Sequence, residues 1–204
     1  MQYHFAPDKT PQELLGQFYK TYELGEDGGH RDSKVKIGLT KNIYFYLPNW
    51  NDRRRALLIH DIHHIITGYK SDFKGETEIS SWEIGSNCRD YWAAWILDSY
   101  GMNAGIWFNL PGVFRAFVRG RRSLNLYGDS ISTEQAVHMT VEMISRELHI
   151  PPRDEKVKPT LADIGWFLFA LFMSSLFSIL SLLLIPFLLL YNIYLFLTIN
   201  FRKT

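Results

Sequence analysis

The sequence predicts a mainly α protein: a compact all-α helical domain over residues 1–160, followed by a membrane segment over 161–204 that forms a transmembrane helical hairpin. Three observations predict it. The 204 residues are 47% apolar and 21% charged, which is the balance of a folded globular chain. Helix start and stop signals recur along the first 160 residues, and only one short stretch has strand composition. From Ile164 to Phe201, 38 residues pass without an Asp, Glu, Lys, Arg or His. Lys and Arg number 22 against 21 Asp and Glu, a net charge of +1, so binding of nucleic acid through bulk basicity is not expected. The single cysteine, Cys88, excludes an intrachain disulfide and a CxxC zinc ribbon, and fits a reducing compartment.

Taken in order, residues 1–9 read as extended. Thr10-Pro11-Gln12-Glu13 opens a helix to about Leu24, with Thr10 as N-cap, Pro11 in the first turn and Glu13 closing a capping box. Glu26 to Gly29 is a loop, and Asn42 to Leu47 a short strand-like piece. Asp52 caps a helix from Arg53 to Thr67, stopped by Gly68. A longer helix runs from about Gly75 to Tyr100, with Gly101 ending it. Leu110 to Arg119 is a short segment in which Phe114, Phe117 and Val118 alternate with arginines, and Phe114 to Arg122 suits either anionic lipid or an ordinary basic surface. Ser132-Thr133-Glu134-Gln135 opens a helix to about Leu148, ended by Ile150-Pro151-Pro152.

A membrane span needs about 20 apolar residues, so the uncharged run divides into two short helices, 164–181 and 182–201. Pro186 begins or kinks the second, and Trp166, Tyr191 and Tyr194 suit interfaces. Arg153, Lys156 and Lys158 precede the run and Arg202 and Lys203 follow it, which is compatible with both ends on the cytoplasmic side. One long tilted span is the competing arrangement.

The string His60-Asp61-Ile62-His63-His64 holds three of the seven histidines. At about 100° per residue, His64 falls about 40° from His60, Asp61 about 100° and His63 about −60°, while Leu58, Ile62, Ile65 and Ile66 take the other side. Two histidines four residues apart can share one ion. Asp61 can add an oxygen and Glu76, at the start of the next helix, a fourth ligand, an N₂O₂ set that suits zinc or another divalent metal. The bland alternative is a solvated polar face. HxxHH also resembles a membrane di-iron histidine box, but the remaining histidines are scattered. HxxxH is similar to zinc peptidases, but Asp61 stands where their Glu base would be.

His60-Asp61-x-x-His64, eleven residues, then Glu76 resembles the signature of the coenzyme Q biosynthesis protein "four" family, and Gly75-Glu76 and Trp82-Glu83 resemble the segment that follows it. The resemblance spans about residues 10–150, its specific part residues 56–83. It implies a mostly α fold and a divalent metal, zinc, on His60, Asp61, His64 and Glu76. It also implies a role in ubiquinone biosynthesis at a membrane: removal of the ring carboxyl of a polyprenylated hydroxybenzoate, with hydroxylation at that carbon. His63 and Glu83 are expected to assist in proton transfer or to orient ligands, and Trp82, Trp92 and Trp95 to line an apolar chamber for lipid substrate. Expected partners are a prenylated quinone precursor or other isoprenoid lipid, the membrane, other quinone-biosynthesis proteins and a second copy in a homodimer.

The hydrophobic tail and the acids Asp8, Glu13, Glu23 and Glu26 near the start, unlike a basic transit peptide, lead to the expectation of a bacterial relative anchored in the cytoplasmic (inner) membrane, its domain in the cytoplasm. Two other functions stand beside the enzyme: a non-catalytic prenyl-lipid-binding scaffold that organises biosynthetic enzymes, and a membrane metallohydrolase.

Overall fold

The computed structural model describes residues 5–38, 44–128, 130–155 and 157–201. The chain is mainly α, with helices α1 (Pro11–Thr21), α2 (Asn51–Thr67), α3 (Phe73–Ser86), α4 (Trp92–Gly120), α5 (Thr133–Ala136), α6 (Val141–Glu147), α7 (Leu161–Ser181) and α8 (Ile185–Phe201). Beside them is one antiparallel hairpin, β1 (Lys34–Gly38) and β2 (Tyr44–Pro48), with Lys34 opposite Pro48. The strand expected over Asn42–Leu47 is β2, though Asn42 and Ile43 lie outside the described residues.

The capping box at Thr10 forms as read, and α1 stops where Glu23 takes a left-handed conformation (φ 55°). Helix α2 begins two residues before the expected start, after Trp50, and ends at Gly68 in the left-handed conformation that glycine adopts freely. The expected helix 75–100 is two helices. Asn87 (φ 80°) and Arg89 (φ 50°) turn the chain between α3 and α4. Gly101 does not end a helix; a Cβ there would meet Ser80 Oγ at 2.2 Å, so it lets α4 lie close on α3. Asn109 (φ −151°, ψ 39°), two residues before Pro111, breaks α4 into two halves, and both pack on α3: Gly101 at Ser80, and Gly85 at the Phe117 backbone. The helix expected over 132–148 is likewise two, because Thr140 caps a fresh start by accepting from the Met143 N–H.

The main core joins Leu14 and Phe18 of α1, Ile59, Ile62 and Ile66 of α2, Ile79 and Trp82 of α3, and Ile144 and Leu148 around α6. A second apolar cluster joins Ile84, Met102, Val113 and Phe117 to Phe167 of α7. Helix α7 therefore belongs partly to the folded domain, across the boundary drawn at residue 160. Arg121 and Arg122 both pair with Asp163, which is buried and closes the capping box of α7 at Thr160. Within Phe114–Arg122, Phe117, Val118 and Arg119 are buried and Arg121 and Arg122 pair with Asp163, while Arg115 stays exposed.

A joint falls at Ser181, where the two helices of the expected hairpin were to meet. The joint is one 3₁₀ turn, Leu182–Leu184, and Ser181, Leu182 and Ile185 all keep right-handed helical dihedrals. Leu161–Thr198 is one helical run long and apolar enough to cross a membrane. Asn192 in α8 accepts from the Tyr46 N–H and donates to its carbonyl, tying the run to β2.

Candidate metal centre

Helix α2 presents His60 and His64 one turn apart on the side facing α3. Asp72 caps α3 by accepting from the Gly75 N–H, which puts Glu76 in the first turn, where the helix dipole favours a carboxylate. A Cβ on Gly75 would meet the Lys70 carbonyl at 1.9 Å, so only glycine lets residues 69–72 fold tightly over the start of α3.

The three side chains converge. His60 Nε2 and His64 Nε2 are 3.1 Å apart. Glu76 Oε2 lies 3.3 Å from His60 Nε2, and Oε1 lies 3.3 Å from His64 Nε2. Bonds of about 2.0–2.1 Å at a tetrahedral zinc put neighbouring ligand atoms about 3.3 Å apart, so these spacings are those of ligands around one small cation.

The outer nitrogens fix the tautomers. His64 Nδ1 is 3.0 Å from the Tyr69 carbonyl, which only accepts, so Nδ1 carries the hydrogen. His60 Nδ1 is 2.9 Å from the Glu83 carboxylate and donates to it. Both Nε2 atoms are thereby left to face each other and the Glu76 carboxylate, an arrangement that requires a cation or a proton between them. A ligand histidine whose second nitrogen is anchored on a carboxylate or carbonyl is the usual construction of metal sites.

Behind the ligands, Glu83 is fully buried and serves three donors: His60 Nδ1, His63 Nδ1 and the Tyr127 hydroxyl at 3.3 Å. His63 Nε2 accepts from the Leu126 N–H at 3.0 Å, so its hydrogen sits on Nδ1 and it orients Glu83. Burial pushes the His63 imidazole below its ordinary range and keeps it neutral. His60 is different. Burial pushes it down as well, but Glu83 and Glu76 on its two nitrogens outweigh this and hold it well above the ordinary histidine range. Burial opposes ionisation of Glu76 and Glu83 too, yet the imidazoles beside them hold both carboxyls low. Tyr69, whose carbonyl sets His64, lies beneath two guanidiniums, Arg119 at 5.2 Å and Arg153 at 5.1 Å from its ring. Those arginines also cap the carbonyls of Thr67 and Gly68 at the end of α2.

Asp61, expected as a fourth ligand, does not join this cluster. Its carboxylate lies 3.3 Å from His30 Nε2, and His30 in turn reaches the Tyr19 hydroxyl. The reason is angular: about 100° around the helix from His60, Asp61 looks toward α1 and the loop after it rather than toward α3. Three candidate ligands remain, His60, His64 and Glu76, which would leave a tetrahedral ion one open position.

His60 and Glu76 also line a cavity of about 280 Å³, together with Glu83 and Tyr127, small residues including Ala56, Ala94 and Gly101, and Leu97 and Asp98. Asp98, absent from the sequence reading, forms a second convergent group with His60 and Glu83. Burial and the neighbouring Glu83 hold its carboxyl well above the usual range. One signal was present in the sequence: Asp98 is the only charged residue between Asp90 and Arg115.

The three tryptophans separate. Trp82 is fully buried core, edge to face with His63 at 5.0 Å between ring centroids. Trp92 and Trp95 line a different cavity, about 480 Å³, shared with Trp166, Phe169 and Phe177 of α7. It contains none of the residues that line the ligand cavity.

No family model matches the chain, and neither a curated protein nor a solved structure matches it.

Proposed function

We propose that this chain is a membrane-anchored, metal-dependent enzyme acting on a lipid-borne aromatic acid, in the manner of the coenzyme Q family its motif resembles: the ring carboxyl of a polyprenylated hydroxybenzoate leaves as CO₂ and a proton takes its place on the ring carbon, while the hydroxylation that the family couples to this loss would draw its oxygen and its oxidising equivalents from dioxygen. The observation that carries the reading is the pair of facing Nε2 atoms with Glu76 across them, each imidazole held by its outer nitrogen. His60, His64 and Glu76 would hold a divalent ion, zinc being the best fit to the two nitrogens and one carboxylate. When bound, the ion supplies Lewis acidity to a phenolate or carboxylate. The chain supplies the rest. Glu83 and Tyr69 fix the imidazoles, Asp98 and Tyr127 bring a carboxyl and a hydroxyl to the cavity, and small residues leave room for a ring. An anchored enzyme avoids drawing a prenyl tail into water, at about 0.8 kcal/mol per CH₂.

The open position favours catalysis over the scaffold, for which a closed four-ligand site is the usual form. A hydrolase is disfavoured because Asp61, in the place of the general base, is engaged by His30. The basic flanks of the apolar run support a cytoplasmic placement of the domain in a bacterial inner membrane.

The test is elemental analysis of detergent-extracted protein together with turnover of a prenylated hydroxybenzoate. About one zinc per chain is expected, lost with product formation in His60→Ala and His64→Ala. Unchanged metal content in both variants would refute the site. Retention of lipid without turnover would favour the scaffold.

A further inference from the structure

At the break in α4, a group of large apolar side chains is left uncovered among the described residues. Trp107 is 84% exposed, Phe108 75% and Leu110 46%, and they are joined by Phe73, the first residue of α3, at 61%. The rings of Phe73 and Phe108 meet edge to face at 5.5 Å, so two elements that also border the metal centre build one knuckle. Its making is specific. Asn109 leaves helical geometry, and its side-chain amide donates to Glu78 Oε1 at 3.0 Å, which fixes the bend and turns its neighbours outward.

The position of the knuckle names its occupant. Asn103, one turn before Trp107, donates to Ser178 Oγ and accepts from Ser175 Oγ of α7. Tyr100 reaches Ser181, where α7 gives way to α8. The helix half that carries the knuckle therefore packs along the helical run that is apolar enough to cross a membrane, on which Phe172, Ile179 and Leu183 are also exposed. From Tyr91 to Phe114 the only charged side chain is Asp98, and it is buried in the domain. Exposed Lys70 and Lys74 stand on either side of Asp72 at the rim, the placement expected at phospholipid headgroups. Aromatic rings at the tip with cations behind them suit an interface between acyl chains and headgroups.

We propose that Phe73, Trp107, Phe108 and Leu110 form a second lipid contact, separate from the C-terminal helix, which seats the domain on the bilayer. Leu97 and Gly101, which line the ligand cavity, lie on the same half of α4 as Trp107, so the contact would hold that half of α4 at the bilayer. The proposal does not depend on a metal or on a reaction.

The test uses the full chain in equimolar phosphatidylcholine–phosphatidylglycerol vesicles. A nitroxide is placed at Phe108→Cys or Trp107→Cys, with Glu134→Cys on the exposed α5 as control; buried Cys88 should remain unlabelled in the wild type. Collision with dissolved oxygen relative to a water-soluble nickel chelate should be several-fold higher at both knuckle positions than at Glu134→Cys. A high nickel rate there would show a water-exposed knuckle and overturn the proposal. Low rates with both reagents would show a protein cover, such as a second copy, and overturn it equally. Elemental analysis of the same samples is unaffected by either outcome, so the metal reading stands or falls separately.

Discussion

At the scale of single residues, the site is governed by what the outer nitrogens of His60 and His64 touch. Glu83 is not a ligand in this geometry, yet it fixes the His60 tautomer, so Glu83→Gln should weaken metal binding by about 10–100-fold, read by competition with a chromophoric chelator. An unchanged affinity would mean that His60 needs no anchoring. The metal-free protein should also be pH-sensitive in a defined way. The raised His60 value contributes stability that is complete below the unfolded histidine range and is lost as pH rises through the folded value. The lowered Glu76 and Glu83 values contribute stability present above the unfolded carboxylate range and lost as pH falls through the folded values. Metal uptake near neutrality should therefore expel a proton from His60, and affinity should climb with pH until the His60 value is passed. Calorimetry in two buffers of different ionisation enthalpy measures this; absence of proton release would contradict it. Of this site, His60, His64 and Glu76 were legible because residue type and helical spacing carry them. Asp61 was misassigned because an angular difference of about 100° decides which neighbour a side chain meets, and that neighbour, His30, is 31 positions away in sequence. Asp98 and Tyr127 reach the cavity only through the packing of α4 and of the loop after it, which no local pattern announces.

At the scale of elements, α3 and α4 depend on close approach. Gly75→Ala would drive a methyl into the Lys70 carbonyl, and the loop bearing the Tyr69 carbonyl would have to move. We expect a loss of about 1–3 kcal/mol in stability, read by thermal unfolding, together with weakened metal binding. A variant that melts and binds as the wild type would show that the loop yields freely. Gly101 was read as a helix stop because glycine ends helices more often than it packs inside them. Its actual role, contact with Ser80, is tertiary and leaves no mark in the sequence. The boundaries that were anticipated, at Thr10 and Gly68, are those where a side-chain cap or a left-handed glycine acts locally. The breaks at Asn87 and Thr140 are also local in cause, but each interrupts an otherwise plausible helical run, and continuity was the stronger pattern.

At the scale of the whole molecule, the C-terminal run has two jobs. Phe167 completes the apolar cluster of Met102, Val113 and Phe117, whereas α8 touches the rest chiefly through Asn192 and Tyr46. A chain ending after Ser181 should keep its fold in mild detergent, while one ending before Leu161 should lose cooperative unfolding or aggregate. Equal melting of the two, followed by circular dichroism, would show that α7 is only an anchor. The overall helical character was legible from start and stop signals, and the long apolar helical run from its lack of charge. The sharing of α7 between core and tail was not, since an uninterrupted apolar run says nothing about which turns face protein. That sharing sets an order of events during synthesis. The ribosome must finish Phe167 before Phe117 can be covered, by which point most of the domain has already emerged. Until then an apolar cleft stays open on the nascent chain, so the domain cannot complete its second core cluster before α7 has emerged.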